Sequence, residues 1–350
     1  MWDGPRAGPH AAVEATGVDE AYAMPELEAV FDRLGGRGGG WQTGNVYSTG
    51  TLSRLSSFSE VHARAASAVA RAGHQRRAQP LEPDLHCLRL RKSQTEVAAL
   101  RNAAEVSGSA IRAAMRMTEP GMNEQHLDAL LEFEVRRRGA TRLAYPPVVA
   151  GGARANTLHY VQNNQVLTAG DLVLVDAGAE YDGYSADITR VWPVAGHFSE
   201  PQAAVYNAVL NIQVACLAAL DVGEAKSFRD LEMMARSVLE VELEKLGLIS
   251  PAATAATRRE ALYKLMPHAI GHNLGMDVHD CSTISTLAQL DPGVALTVEP
   301  GIYIPNLDGL PRALRGLGVR IEDNVVMRHG GGIEVLTTSC PKVGGRLREV

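Results

Sequence analysis

Asp171-Leu172-Val173-Leu174-Val175-Asp176 sets four consecutive apolar residues directly before a carboxylate. The run is short and rich in β-branched residues, so it reads as a strand that delivers Asp176 to its end. Val294-Ala295-Leu296-Thr297-Val298-Glu299 has the same form, and Pro300-Gly301 ends it with Glu299 at the tip. Leu317–Met327 reads as a third strand, on which Arg320 and Glu322 stand two apart and share a face. Helices fill the intervals. Ser93-Gln94-Thr95-Glu96 is a capping box opening one helix, which Pro120-Gly121 ends. Asn123 caps a second, stopped by Gly139. Ser199–Gln202 is another capping box, and Ser227 starts a helix that runs to Gly247. Two helices followed by acid-ended strands therefore occur twice, over about 93–198 and 200–327. The expected class is α+β with two related halves.

Outward from this region, composition sets the bounds. A length of 350 residues suggests roughly two domains or one large enzyme domain. With 45% hydrophobic and 21% charged residues a sizeable core forms, and wholesale disorder is excluded. The net charge of −6 argues against a general nucleic-acid binder. Cys87, Cys216, Cys281 and Cys340 have neither CxxC spacing nor disulfide density, so a reducing compartment is expected and zinc fingers are excluded. The apolar runs read as shorter than the roughly 20 residues a membrane span needs.

The first quarter is less regular. Helices are plausible over Pro25–Leu34 and Ser59–Ala72. The glycine-rich stretch Leu34–Gly40 between them lacks the strand, helix and Lys-Ser/Thr context of a phosphate loop, and reads as a connector. The basic run Arg71–Arg77 reads as a solvated surface. Met1–Arg6 has no signal-peptide or transit-peptide character.

Chemistry concentrates downstream. Asp176 and Asp187, eleven residues apart around Gly178 and Gly183, suit a hairpin that brings both carboxylates to one end of neighbouring strands. A lone aspartate more often caps a turn, but one that follows four apolar residues needs a partner. His268, His272 and His279 lie within twelve residues. His268 and His272 have HExxH-like spacing, but Ala269 replaces the zincin glutamate. Arg320 and Glu322 alone would read as a surface ion pair. Together, four carboxylates and one imidazole suit two hard divalent cations such as manganese. Such a pair can activate a bridging water and polarise a carbonyl, as in aminopeptidases.

Asp176, Asp187, Gly271-His272, Glu299-Pro300-Gly301 and Arg320-Ile321-Glu322-Asp323 resemble the ligand motifs of the pita-bread metallopeptidases, which include Xaa-Pro aminopeptidase (aminopeptidase P), prolidase and methionine aminopeptidase. The wording of Ala144–Gly152, Asn156–Tyr160, Gly275–Asp280 and Arg315–Arg320 is closest to the mitochondrial aminopeptidase P branch. The resemblance implies a pita-bread catalytic domain over 91–350, with pseudo-two-fold halves. It also implies that 1–90 is a truncated N-terminal α/β domain of the aminopeptidase P type.

By the same resemblance, Asp187 and Glu322 bridge two divalent ions, most simply Mn²⁺, with Asp176, His272 and Glu299 completing the ligands. Glu299 also shuttles the proton of the attacking water. His159 and His279 bind substrate, His268 steadies the oxyanion, and Arg320 orients Asp176. The implied activity is removal of an N-terminal residue from peptides with proline second. Prolidase action on Xaa-Pro dipeptides and a non-catalytic binding module are the alternatives. The implied assembly is a homodimer, with no nucleic-acid or membrane partner. The implied address is mitochondrial, with a cytoplasmic one left open because no transit peptide is read.

Overall fold

The computed structural model describes residues 8–23, 26, 29–30, 33, 47–48 and 79–342. The expected helix Pro25–Leu34 lies largely outside them, and Ser59–Ala72, the glycine-rich stretch and the basic run lie wholly outside. The chain divides into two compact units, Met1–Leu85 and His86–Val350. In the first, Pro9–Thr16 is helical and is ended by Gly17 in the left-handed conformation. Tyr47–Ser48 pairs in parallel with Gln79–Pro80.

The second unit repeats one order of elements. Helices α1 (Gln94–Met117) and α2 (Glu124–Arg137) precede strands β1 (Val148–Gly151), β2 (Leu172–Asp176), β3 (Ala179–Tyr181), β4 (Tyr184–Ser185) and β5 (Thr189–Pro193). Helices α3 (Glu200–Asp221), α4 (Phe228–Lys245) and α5 (Ala255–Leu265) then precede β6 (Ala295–Val298), β7 (Gly301–Tyr303), β8 (Gly318–Arg320), β9 (Asp323–Met327) and β10 (Ile333–Val335). Both capping boxes form: the Ser93 hydroxyl accepts from the Glu96 amide at 3.3 Å while the Glu96 carboxylate accepts from the Ser93 amide at 2.6 Å. Ser199 and Gln202 do the same for α3.

Strand β2 is the centre of the first half, paired antiparallel with β1 on one side and β5 on the other. Its side chains alternate between two cores. Leu172 and Leu174 enter a cluster with α3 and α4, while Val173 and Val175 enter one with α1 and α2. A strand covered on both faces has no polar side, which is why the run is apolar without alternation. Each such buried side chain contributes about 1.5–3 kcal/mol. In the second half β9 pairs with β6 and β10, and β7 pairs with β8.

Three expectations change. Asp176 ends β2, but Asp187 lies two residues before β5, in the link from a smaller hairpin, β3–β4, that interrupts the expected one. Gly178 permits that excursion, because a Cβ there would stand 1.7 Å from the Ala186 carbonyl oxygen. Leu317–Met327 is two strands, β8 and β9, since the chain changes partner from β7 to β6 at Ile321–Glu322. In that gap Ile321 N donates to Pro300 O and Glu322 N to Thr189 O, yet Arg320 and Glu322 still face the same side, since both side chains meet the Thr189 hydroxyl. Helix α3 has 22 residues, and its most apolar 18-residue window has a mean hydropathy of 1.7, so by length and composition it is after all long and apolar enough to cross a membrane. It serves instead as a core helix, its Val205, Val209, Ile212 and Cys216 buried in the larger cluster. Helix α5 was not expected, because only Leu262 and Leu265 of it are buried and its apolar stripe is weak.

A buried ion pair fastens the loop after α5 to the start of the unit. Lys92 Nζ donates to Asp280 at 3.0 Å, both side chains 1% exposed, and Arg89 reaches the other carboxylate oxygen. Burial alone would raise the Asp280 carboxyl, but Lys92, Cys281 and Arg89 hold it below the usual 3.8. A carboxylate depressed in the folded state stabilises above its unfolded value and loses that contribution as pH falls through the folded one. Replacing Asp280 leaves Lys92 buried and unpaired, so Asp280→Asn is expected to cost about 3–5 kcal/mol at pH 7. The gap to the parent protein should close as pH drops below the depressed folded value. Urea titrations at a series of pH values check this, and a gap independent of pH would refute it.

Candidate metal centre and cleft

The ends of β2, β6 and β8 and the approach to β5 open on one cleft. All of His159, Asp176, Asp187, His268, His272, His279, Glu299, Arg320 and Glu322 line it, together with Leu158. Asp187, His272 and Glu322 each present a ligand atom within 4.8 Å of the others. Asp176 and Glu299 lie outside that triplet but touch it. Tyr145 Oη stands 2.6 Å from both Asp176 Oδ1 and Asp187 Oδ1, and Glu299 Oε1 lies 3.5 Å from His272 Nε2.

Each side chain is held from behind. His272 N donates to Thr297 Oγ1 at 3.1 Å, and its Nδ1 stands 3.0 Å from Asn273 O. That carbonyl accepts only a proton, so Nδ1–H is fixed and Nε2 faces the cleft. Gly271 has no room for a side chain, because a Cβ would meet Thr297 O at 2.1 Å. Arg320, 4% exposed, donates to Asp176 Oδ2 at 2.6 Å, to Thr189 Oγ1 at 2.9 Å and to Tyr303 Oη at 2.9 Å. Thr189 in turn donates to Glu322 Oε2 at 2.7 Å. On the reverse of the same strands the buried Arg190–Asp323 pair closes at 2.7 Å. Strand alternation thus gives the cleft Thr189 and Glu322, and gives the core their neighbours.

The cleft is short of positive charge. Burial raises the Asp176 carboxyl, opposed by Arg320 and reinforced by Asp187. Glu322 is raised well above the usual carboxylate range by burial, then by Asp187, Glu299 and Asp176. Burial pushes Glu299 up to about 7, against the pull of His272. For His272, burial works downward, but Asp187 and Glu299 push the imidazole up to about 9. One phenolic hydrogen on Tyr145 cannot satisfy two carboxylates at once. A set of four carboxylates and one correctly turned imidazole, so under-neutralised, fits hard divalent cations.

The three other histidines differ. Burial lowers His268 to about 4, so it is neutral, with Nδ1 2.8 Å from Ala269 O and Nε2 2.9 Å from Tyr303 Oη. Both its nitrogens are engaged, and donation to a substrate requires it to leave Ala269. His279 stacks edge-on against His272 with ring centroids 4.4 Å apart, and burial followed by the His272 charge lowers its pKa. His159 is exposed at the rim. Tyr145, Thr189, Thr297 and Tyr303 were not assigned roles from sequence. Tyr145 belongs to the quoted Ala144–Gly152 stretch, yet a tyrosine among apolar residues reads as core, and Thr189 becomes visible only once its register opposite Asp176 is known.

With this geometry in hand, comparison with known proteins defines the class. Residues 98–329 match metallopeptidase family M24, and the chain belongs to that family. Xaa-Pro aminopeptidase 3 of Mus musculus is 41% identical over 352 residues, covering 100% of this chain and 67% of the mouse protein. Intermediate cleaving peptidase 55, mitochondrial, of Arabidopsis thaliana is 35% identical over 341 residues, covering 97% of this chain and 65% of its own. The solved structure of Pseudomonas aeruginosa aminopeptidase PepP superposes with a TM-score of 0.86 at 37% identity, covering 98% of this chain and 77% of that one. The fold is accordingly the pita-bread fold anticipated from the motifs.

If the cleft is a metal centre, its cations should stabilise the folded chain by mass action, by about 2.7 kcal/mol at a hundredfold excess over the dissociation constant. Chelation is expected to lower the melting temperature of the parent protein and to leave Asp187→Ala unmoved. Metal analysis should find fewer ions on Asp187→Ala than on the parent. A parent protein indifferent to chelator would refute the assignment.

Proposed function

We propose that this chain is a metal-dependent Xaa-Pro aminopeptidase, which hydrolyses the bond between an N-terminal residue and a following proline. The observation that carries the proposal is the meeting of Asp187, His272 and Glu322 within 4.8 Å in a cleft that His159 and His279 also line. Asp176, Asp187, His272, Glu299 and Glu322 would hold two divalent ions, and the oxygen-rich set favours Mn²⁺. When bound, the ions would ease deprotonation of the attacking water and polarise the scissile carbonyl.

The chain's own residues do the rest. Glu299, lining the cleft with its Oε1 3.5 Å from His272 Nε2, would take a proton from water and return it to the leaving amine. Arg320 and Tyr145 fix Asp176, and Thr189 couples Arg320 to Glu322, so the ligand oxygens are pre-set. Neutral His279 and exposed His159 offer ring nitrogens to the peptide backbone. His268 supplies an oxyanion donor once Nδ1 turns from Ala269. Homodimer assembly and a mitochondrial address complete the proposal, the latter supported by the mitochondrial name of the Arabidopsis relative.

The test is release of the first residue from an Xaa-Pro-Yaa tripeptide by manganese-loaded protein, with Xaa-Ala-Yaa as control. Glu299→Gln is expected to lower kcat by about 10²–10⁴-fold, as for loss of a general acid–base group. Cleavage of Xaa-Pro dipeptides alone would favour prolidase. Metal binding without any hydrolysis would favour a binding module.

A further inference from the structure

The loop that carries His159 is gripped by a carboxylate that does not line the cleft. Glu124 opens helix α2 and is 0% exposed, yet it is surrounded by donors from one segment. Oε1 accepts from Gly151 N at 2.8 Å and Arg154 Nε at 2.7 Å. Oε2 accepts from Tyr160 Oη at 2.9 Å and Gln165 N at 3.0 Å. The Glu124 amide donates back to Gln165 O at 2.9 Å. A buried carboxylate costs too much to keep unless it is fully hydrogen-bonded, and these four donors meet that demand. The helix N-terminus adds a favourable field.

The donors are placed on both sides of His159. Gly151 and Arg154 precede it, and Tyr160 and Gln165 follow it. Asn163, at φ 45°, adds a second hold: its Oδ1 accepts from Val149 N at 2.9 Å and its Nδ2 donates to Pro147 O at 2.9 Å. The exposed imidazole of His159 therefore inherits its position from backbone that Glu124 clamps. A surface loop of this length without such a clamp would leave a rim histidine free to wander, and displacement of about 1 Å at a reacting site costs up to 10²-fold.

We infer that Glu124 is a positioning residue for His159, setting where the cleft rim meets the peptide. The inference rests on the reading of His159 as a peptide-binding group. Glu124→Gln keeps the shape but turns an amide N–H₂ toward groups that themselves donate. It is expected to lower kcat/KM for Xaa-Pro-Yaa roughly tenfold, mostly through KM, with metal content unchanged. The decisive comparison repeats the substitution in a His159→Ala background, where it should change kcat/KM by less than about twofold. Equal losses in both backgrounds would mean a general structural role and would overturn the inference.

Tyr160→Phe removes one donor only, and should show the same non-additivity at smaller amplitude if Glu124→Gln does not fold. Hydrogen exchange supplies a readout independent of catalysis. Amides of 157–160 should exchange faster in Glu124→Gln, or in Tyr160→Phe, while those of α1 stay unchanged, and unchanged exchange at 157–160 would overturn the inference. Should the parent protein prove inactive on the tripeptide, the proposed activity falls, and exchange still decides whether Glu124 holds the loop.

Discussion

The organising constraint of this protein is the closeness of four carboxylates in a largely buried space. Asp176, Asp187, Glu299 and Glu322 face Arg320 and His272, and burial raises Asp176, Glu299 and Glu322. Nothing apolar could occupy those positions without forfeiting the chemistry, so the surroundings exist to keep the oxygens apart and aimed. Tyr145 stands between two of them, Thr189 passes the hold of Arg320 on to a third, and Thr297 donates to the fourth at 3.3 Å. Behind this layer, the buried Arg190–Asp323 pair and the Thr337 hydroxyl, which donates to Asp323 at 2.7 Å, keep the two central strands in register. The cleft is a polar inclusion between two aliphatic cores, and its geometry is inherited from their strands.

Much of this was legible in the residues. Capping boxes at Ser93 and Ser199 announce helices through local hydrogen bonds, which need no tertiary context. The apolar run before Asp176 announces a strand because it is short, rich in β-branched residues and buried on both faces. What resisted reading depends on partners distant in the chain. The break at Ile321–Glu322 arises because one strand changes neighbours there, and only the register with Pro300 and Thr189 reveals it. Helix α3 illustrates the opposite ambiguity, since a long apolar helix in a core and one in a bilayer share a composition. Its burial against β-strands of both halves decides the matter.

The site was legible as residue types and less so as geometry. Spacing and strand ends brought out all four carboxylates and the histidine cluster, and the motifs assigned them their roles. Glu124 was invisible: at a helix start, a glutamate reads as a first-turn charge complementing the dipole. That Tyr160 and Gln165, some forty residues later, return to the same carboxylate is a fact of folding, not of local sequence. His268 shows a subtler limit, because its neutrality follows from burial against Tyr303 and not from its neighbours in the chain.

The repeated order of helices and strands carries a further consequence. Asp176 and Asp187 come from the first half, and His272, Glu299 and Glu322 from the second. Neither half owns a complete set, and the two contribute chemically different donors, so the centre is asymmetric although the scaffold is nearly repeated. A chain severed at the exposed turn around His197, where β5 gives way to α3, would yield two fragments that are each inert. Turnover would then register their reunion, making the cleft a built-in sensor of whether the two halves have docked.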